Sequence, residues 1–442
     1  MKRTLTLFFS EYGMLFVLLL LCAFFSVVTY SDQSPSGAAA AQQLAVELRS
    51  KPGRVMIAVR NQPEDESFAL ALEKELAGTG VVIASMVKGE PKDARDALVK
   101  LAAAGEKLDA IACTPATAAW LVFADLPADF PTLGAPAILK PSSYKWPNFL
   151  KTDNLLNIAN QIAVIAIVAI GMTLVIVTGG IDLSVGSLIA LSAVLAGWFI
   201  RDFAGATQAS ASGMVLAGGA AVLLCALVGA FSGGMITVFG IPPFIVTLAM
   251  MLVTSGLAYL LAQGQSIYQL PDSFVWLGRG ADFLHIPNAV LLMLLLYGLA
   301  HVLMSWMKLG RYFYAVGGNR EAARLSGVPV RRVLMLAYVA SGALAGLGGV
   351  IMTSQLKSGS PTYGNMYELY VIAAVVVGGT SLSGGEGKML GTLIGAFTIA
   401  VIQNGMNLTN VESYTQKVVL GLVILAAVFL DTLRHRGWRR AT

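Results

Sequence analysis

The sequence predicts an all-α polytopic membrane protein of about ten transmembrane helices, with a small α/β (βαβαβ) domain between the first and second spans. Three observations predict it. The 442 residues are 56% hydrophobic and only 12% charged, and mean hydropathy is +0.72, whereas soluble domains carry roughly 25% charged residues. Apolar stretches long enough to cross a bilayer recur from residue 157 to residue 431. Fourteen of the 25 acidic residues fall between Ser31 and Leu150, so a polar insert interrupts a membrane body.

Four segments follow in order: residues 1–30, a first span; 31–150, the insert with a Pro-rich linker; 151–432, the membrane domain; and 433–442, a basic tail. Lys2 and Arg3 followed by apolar Leu15–Tyr30 also suit a secretory signal, and Ser31-Asp-Gln-Ser-Pro-Ser-Gly offers small residues for cleavage. The length of the apolar run and the parity of the later spans favour an uncleaved helix.

Within the insert, Arg54–Arg60, Val81–Val87 and Asp109–Cys113 read as strands. Ser67–Ala77 and Pro91–Gly105 read as the helices between them, the second with Ala94, Leu98, Leu101 and Ala102 at helical spacing. Thr114–Thr117 is expected to open a further helix, and Pro127–Pro147 to lead back to the membrane. The order implies a parallel sheet with right-handed crossovers. It resembles part of one lobe of a periplasmic sugar-binding protein. Half of a two-lobed receptor lacks the wall that would enclose a ligand, so docking or a degenerate lobe is expected over a working sugar site.

The later spans are placed near 157–177, 184–200, 213–238, 243–262, 288–307, 333–352, 369–380, 389–408 and 415–431, with the Gly-rich runs 178–187 and 378–387 as candidate re-entrant segments. Setting the N-terminus inside leaves 13 basic residues inside and 5 outside, the insert excluded. The inside set is Lys2, Arg3, Lys308, Arg311, Arg320, Arg324, Arg331, Arg332, Lys388, Arg434, Arg436, Arg439 and Arg440. This asymmetry puts both termini in the cytoplasm and the insert outside. It also accounts for the net charge of +5 without a nucleic-acid partner. Cys22, Cys113 and Cys225 have no metal or redox spacing, and His285, His301 and His435 are too scattered for a metal site.

The run Val177-Thr-Gly-Gly-Ile-Asp-Leu-Ser-Val-Gly-Ser187 ends a span with two glycines and a carboxylate. An unpaired carboxylate at membrane depth costs roughly 2.5–3.5 kcal/mol, and irregular backbone there must face protein or a watery cavity. Val376-Val-Gly-Gly-Thr-Ser-Leu-Ser-Gly-Gly385 echoes it as V-x-G-G-x-x-L-S-x-G. Transporters often place broken helices in corresponding positions of two halves, but both copies here run outside to inside. In the largest inside loop, Asn319 can cap a short helix that Gly327 and Pro329 end, with Arg320 and Arg324 on one face and Ala322, Leu325 and Val328 on the other.

Glu321-Ala-Ala-Arg-Leu-Ser-Gly327 is similar to the loop by which ABC-importer permeases dock onto their ATPase. With it, Asn154–Ile158, Gly171–Ser187, Pro243–Leu248, Ala315–Gly327 and Val377–Gly387 resemble, in family order, the ribose-type (simple-sugar) ABC importer permease family. The insert at about 31–145 departs from that pattern. The resemblance implies a non-enzymatic permease subunit in a bacterial inner membrane, forming a homodimer. Its partners would be an ABC ATPase subunit that hydrolyses ATP, a periplasmic solute-binding protein and membrane lipid, with no cofactor on this chain. It assigns ATPase coupling to Gly318, Asn319, Arg320, Glu321, Ala322, Ala323 and Gly327. Asp182, Ser184, Ser187, Thr380, Ser381, Ser383, Asn404 and Asn407 are candidates for the solute path, with Gly179, Gly180, Gly378 and Gly379 breaking the helices. For Asp182 a helix cap, accepting from the backbone of Ser184 or Val185, is favoured over solute contact. Asn160 and Gln161 are expected to bond neighbouring helices.

Leu382-Ser-Gly-Gly-Glu386 resembles an ATPase signature, but no G-x-x-x-x-G-K-[ST] is present, and Gly78-Thr-Gly80 follows a helix, the wrong order for a dinucleotide turn. The rival reading is a membrane-bound sensor whose α/β domain binds a ligand or protein. An ion-coupled transporter is weakened by the lack of paired intramembrane charges beside Asp182.

Overall fold

The computed structural model describes residues 2–439, with side-chain surroundings for residues 13–429. Lys2, Arg3, Arg434, Arg436, Arg439 and Arg440, and the 433–442 tail with them, therefore lie outside the described side chains. The chain divides into two compact units, Met1–Thr29 with Asn148–Thr442, and Tyr30–Pro147.

In chain order, α1 (Lys2–Val28) precedes the smaller unit, which begins with β1 (Tyr30–Gln33) and α2 (Gly37–Ser50). There follow β2 (Arg54–Val59), α3 (Pro63–Leu76), β3 (Val82–Lys88), α4 (Pro91–Ala103), β4 (Ala110–Cys113), a single turn α5 (Leu126–Asp129), β5 (Ala137–Leu139) and β6 (Tyr144–Pro147). Strands β3-β2-β4-β5 form a parallel sheet in that order, and β1 pairs with β6 antiparallel. Helices α2 and α3 cover one face through Leu44, Leu48, Phe68 and Leu72, and α4 covers the other through Ala94 and Leu98. Three local expectations are corrected. Helix α2 was not anticipated. After Thr114 the chain makes short 3₁₀ turns and the single turn α5 instead of a full helix, since Thr117 turns its hydroxyl back to the Ala58 carbonyl (2.8 Å). The stretch 127–147 is no plain linker, because it contributes β5 and β6.

The larger unit continues with α6 (Thr152–Val177), α7 (Val185–Asp202), α8 (Ala211–Val238), α9 (Pro243–Ala262), a single turn α10 (Trp276–Arg279), α11 (Asn288–Trp306), α12 (Lys308–Gly318), α13 (Arg320–Leu325), α14 (Val330–Leu356), α15 (Tyr367–Val377), α16 (Met389–Leu408) and α17 (Ser413–Arg439). Among the described residues, seven of these helices, α6–α9, α11, α14 and α16, are long and apolar enough to cross a membrane. At 26 residues α6 is about 39 Å long, so the first Gly-rich run ends a complete span. Helix α15, with 11 residues, reaches about 16 Å, half a bilayer. The irregular segment before it, with Ser358, Gly359, Ser360 and Pro361 buried, is where non-helical backbone is covered by protein, as a membrane interior requires.

Helix α14 is the hub. Gly342 and Gly346 meet Cys225 and the backbone around it on α8, Gly171 of α6 faces Ser341, and Ser192 of α7 donates to the Gly346 carbonyl (2.6 Å). A Cβ at Gly342 would fall on the Cys225 carbonyl, so small residues set this seam by letting backbones approach.

Candidate functional site

Both Gly-Gly runs are helix stops of one kind. At the end of α6, Gly179 is left-handed (φ 76°), its N–H donates to Ile176 O (2.8 Å) and Gly180 N–H donates to Val175 O (3.0 Å). At the end of α15, Gly379 is left-handed (φ 86°), with Gly379 N–H to Val376 O (2.9 Å) and Thr380 N–H to Val375 O (3.1 Å). These are Schellman stops, and a third closes α13 at Gly327 (φ 83°), where Val328 N–H donates to Ala323 O (3.0 Å). The sequence echo is therefore out of register by one: Val177 corresponds to Val377, not Val376. Lettering aligned the first glycines, whereas the left-handed residue is the first glycine in one copy and the second in the other.

The turn that follows the second stop touches the first. Gly385 N–H donates to the Val177 carbonyl (2.8 Å), and a Cβ on Gly384 would lie 3.0 Å from Gly179 N and 3.1 Å from Gly317 O. A Cβ on Gly317, near the end of α12, would fall on the Val177 carbonyl oxygen. Three segments distant in sequence thus converge on a knot of glycines, because only residues without side chains allow backbones this close. Arg320 adds a charge: its Nη2 donates to the Thr178 carbonyl (3.3 Å). A cation belongs at this helix C-terminus, where carbonyls lack intrahelical partners and the dipole is negative. Tyr314 of α12 donates its hydroxyl to the Gly387 carbonyl (2.7 Å), so α12 and α13 grip the first stop and the turn that follows the second.

The short helix α13 is built to present residues outward. Asn319 Oδ1 accepts from Ala322 N–H (2.9 Å) as the N-cap, and Ala323 alone of the helix is buried. Glu321 and Arg324 form an exposed pair (2.8 Å), and Leu325 is 82% exposed. Gly318 has open space around it.

Asp182 is buried in the turn between α6 and α7. Its Oδ1 accepts from Ser184 N–H (3.0 Å) and Ser184 Oγ (2.6 Å), and its Oδ2 accepts from Ser341 Oγ on α14 (2.7 Å). Ser187 donates to Ser184 O and accepts from Thr254 of α9. Thr247 of α9 donates to the Ile181 carbonyl (3.2 Å). Ser381 Oγ accepts from Ser383 N–H (3.3 Å) within the second turn. Two buried hydroxyls near the stops, Thr380 Oγ1 and Tyr338 Oη, have no hydrogen-bond partner among the described residues. Asn404 and Asn407 lie elsewhere: Asn404 exchanges amide bonds with Asn154 of α6 (2.8 and 3.0 Å), and Asn407 accepts from Gln416 of α17. Each is satisfied by a neighbouring helix.

Replacing Asp182 by Ala leaves the Ser184 N–H and Ser341 hydroxyl buried and unpaired, at about 1–3 kcal/mol each. Asp182→Ala should lower the melting midpoint of the purified protein by several degrees. Asp182→Asn, which keeps an acceptor for Ser184, should recover most of it, and equal losses in the two variants would refute a capping role.

A groove missed by sequence reasoning runs between α6, α14, α15 and α16. It encloses about 270 Å³ and is lined by Gln161, Gln355, Tyr367 and Gln403 among apolar side chains. Its signal was faint: isolated glutamines on separate helices, of which Gln161 was read as interhelical. Asn160 and Gln355 do bond across helices, Gln355 donating to Asn160 O (3.0 Å). Among the described residues no group of three or more His, Cys, Asp or Glu could hold a metal ion.

Residues 154–428 match the family described as branched-chain amino acid transport system / permease component. The chain is similar to the ribose import permease protein of Escherichia coli, 43% identical over 293 residues, which is 65% of this chain and 88% of that protein. The ribose import permease protein of Bacillus subtilis is 44% identical over 294 residues, covering 64% and 86%. The D-allose transport system permease protein of E. coli is 35% identical over 285 residues, covering 64% and 85%. No solved structure matches the chain significantly.

Proposed function

The chain belongs to this permease family, and on that premise we propose that it is the transmembrane subunit of an ATP-driven importer for a simple sugar. The relatives named for ribose and allose support the solute class. The observation that carries the mechanism is the grip of α12 and α13 on the α6 stop and on the turn between α15 and α16, through Arg320 to Thr178, Gly317 against Val177, and Tyr314 to Gly387.

In this reading about ten spans, α1, α6–α9, α11 and α14–α17, cross or enter a bacterial inner membrane with both termini cytoplasmic. The basic-residue asymmetry supports that orientation and places the glycine knot and α13 on the cytoplasmic side, with Tyr30–Pro147 outside. Gly318, Asn319, Arg320, Glu321, Ala322, Ala323 and Gly327 form the ATPase-docking element. A separate solute-binding protein, a second permease copy and lipid complete the surroundings. Asp182, Ser184, Ser187, Thr380, Ser381 and Ser383 belong to the coupling junction, and the solute runs instead along the groove of Gln161, Gln355, Tyr367 and Gln403. Movement of α13 on its ATPase shifts the end of α6 and the turn between α15 and α16 together. The unpartnered Thr380 and Tyr338 hydroxyls, each costing about 1–3 kcal/mol, favour a second arrangement that satisfies them, the other transport state.

Proteoliposomes containing this chain and its ATPase, supplied with the binding protein, should accumulate D-ribose or D-allose only with ATP. Accumulation driven by an ion gradient without the ATPase would overturn the reading.

A further inference from the structure

The segment between α14 and α15 carries a polar face that neither the helix stops nor the groove explains. From the end of α14 the chain runs along α7 without forming a helix. A Cβ on Gly359 would fall on the Ala193 carbonyl, and one on Gly364 on the Gly186 carbonyl. Those two α7 residues are seven apart, so the segment travels about 10 Å along the helix. Ser358, Gly359, Ser360 and Pro361 are covered, but further along Thr362 and Asn365 are exposed and Glu368 is half-buried.

The depth of Glu368 follows from its neighbours. Helices α15 and α16 run antiparallel in close contact, with Gly378 against Gly391 and Ala374 against Gly395. Glu368 lies ten residues before Gly378, about 15 Å along the helix, and the 20-residue α16 is about 30 Å long. The carboxylate is therefore level with the middle of a span. Tyr367 and Ala400, which line one groove, give the same level. What stands against Glu368 is bare backbone: a Cβ on Gly186, at the start of α7, would fall on its Oε2. Among the described residues no cation pairs with Glu368, and no other side chain donates to it.

Three features thus share one face at membrane depth: non-helical backbone, two exposed polar side chains and a bare carboxylate. Hydrocarbon offers hydrogen bonds to none of them, so this face cannot look into lipid. The contrast within the chain is plain, since α8 exposes Leu216, Leu223, Leu227 and Phe231. We propose that residues 362–368 and the start of α7 wall a water-filled passage in which Glu368 is the specificity-determining charge. Its carboxylate accepts hydrogen bonds from neutral solutes and repels anions. The first turns of α7 and α15 both adjoin it, and their positive ends offset its charge. Tyr367 beside it lines the groove already described, so Glu368 stands guard on that route at mid-depth. The assignment rests on the reading of this chain as a membrane-spanning permease.

The test uses the full-length chain in lipid nanodiscs with Cys22 replaced by Ser, Cys113 and Cys225 being buried. Asn365→Cys, Glu368→Cys and, on α8, Leu227→Cys are each treated with two methanethiosulfonates, one a trimethylammonium and the other a sulfonate. The cationic reagent should modify positions 365 and 368 at least tenfold faster than position 227. At position 365 it should also outpace the anionic reagent by tenfold beyond the ratio seen with free cysteine. Adding Glu368→Gln to Asn365→Cys should abolish that preference, whereas Glu368→Asp should keep it. Reaction at 365 and 368 as slow as at 227 would overturn the passage, and a preference indifferent to Glu368→Gln would overturn the role of the charge. Fast reaction at 227 as well would overturn the membrane-spanning reading and this proposal with it. Failed ATP-driven uptake beside the expected labelling pattern would count against the transport reading alone.

Discussion

Gly317→Ala should abolish ATP-driven uptake, while Gly298→Ala, a helical glycine of α11, leaves it near the wild-type rate. The added Cβ at 317 falls on the Val177 carbonyl oxygen and against Gly385 N, and both are backbone atoms. A clashing side-chain tip could swing aside, but here α12, α6 or the 384–385 turn must move bodily. Any such movement breaks the 2.8 Å bond from Gly385 N–H to Val177 O, the direct link between the first stop and the turn that follows the second. Leaving that carbonyl unpaired costs about 1–3 kcal/mol, comparable to the differences that separate transport states. At Gly298 a Cβ meets nothing within 4 Å, so the pair controls for helix propensity and expression. Uptake per folded molecule, with the ATPase rate of the assembled complex beside it, decides the matter. Normal uptake by Gly317→Ala would show that the knot is packing without transmission.

The helix stops were legible because a glycine pair after a long apolar run leaves few other conformations. Their identity as Schellman stops needed the backbone, since letters alone put the echo one residue out of register. The meeting of Val177, Gly317 and Gly385 was invisible: each glycine announces a close approach, but none names its partner across 68 to 208 residues. Asn404 and Asn407 show that a polar group in an apolar helix has two readings, path or bond: Asn154 and Gln416 supply a bond, which letters alone do not reveal. In the α/β unit β2, β3 and β4 carried apolar runs, whereas β5 and β6, with three and four residues, are too short for periodicity to speak. Helix α2 was hidden in an alanine-rich stretch read for cleavage, although alanine is the best helix former.

Glu321→Lys should abolish uptake and reduce co-purification with the ATPase at least tenfold, with no loss of folded permease. The side chains of Glu321 and Arg324 are 73% and 67% exposed, and an exposed pair of this kind contributes at most about 1 kcal/mol. Reversal also sets a cation in the first turn of α13, where the dipole favours an anion, at about 0.3–1 kcal/mol. These costs fall on a six-residue helix outside the packed core, so the melting midpoint should stay within a few degrees of wild type. A surface this exposed can carry a large functional effect only through something that docks on it. Leu325, 82% exposed beside it, is the apolar half of the same face, and Leu325→Ala should lower uptake several-fold by that route. Arg320 cannot compensate for the lost acid, because it is committed to the Thr178 carbonyl. Charge reversal on the facing ATPase surface, restoring uptake to Glu321→Lys, would prove the contact. Normal uptake by the single variant would remove α13 from the coupling path altogether.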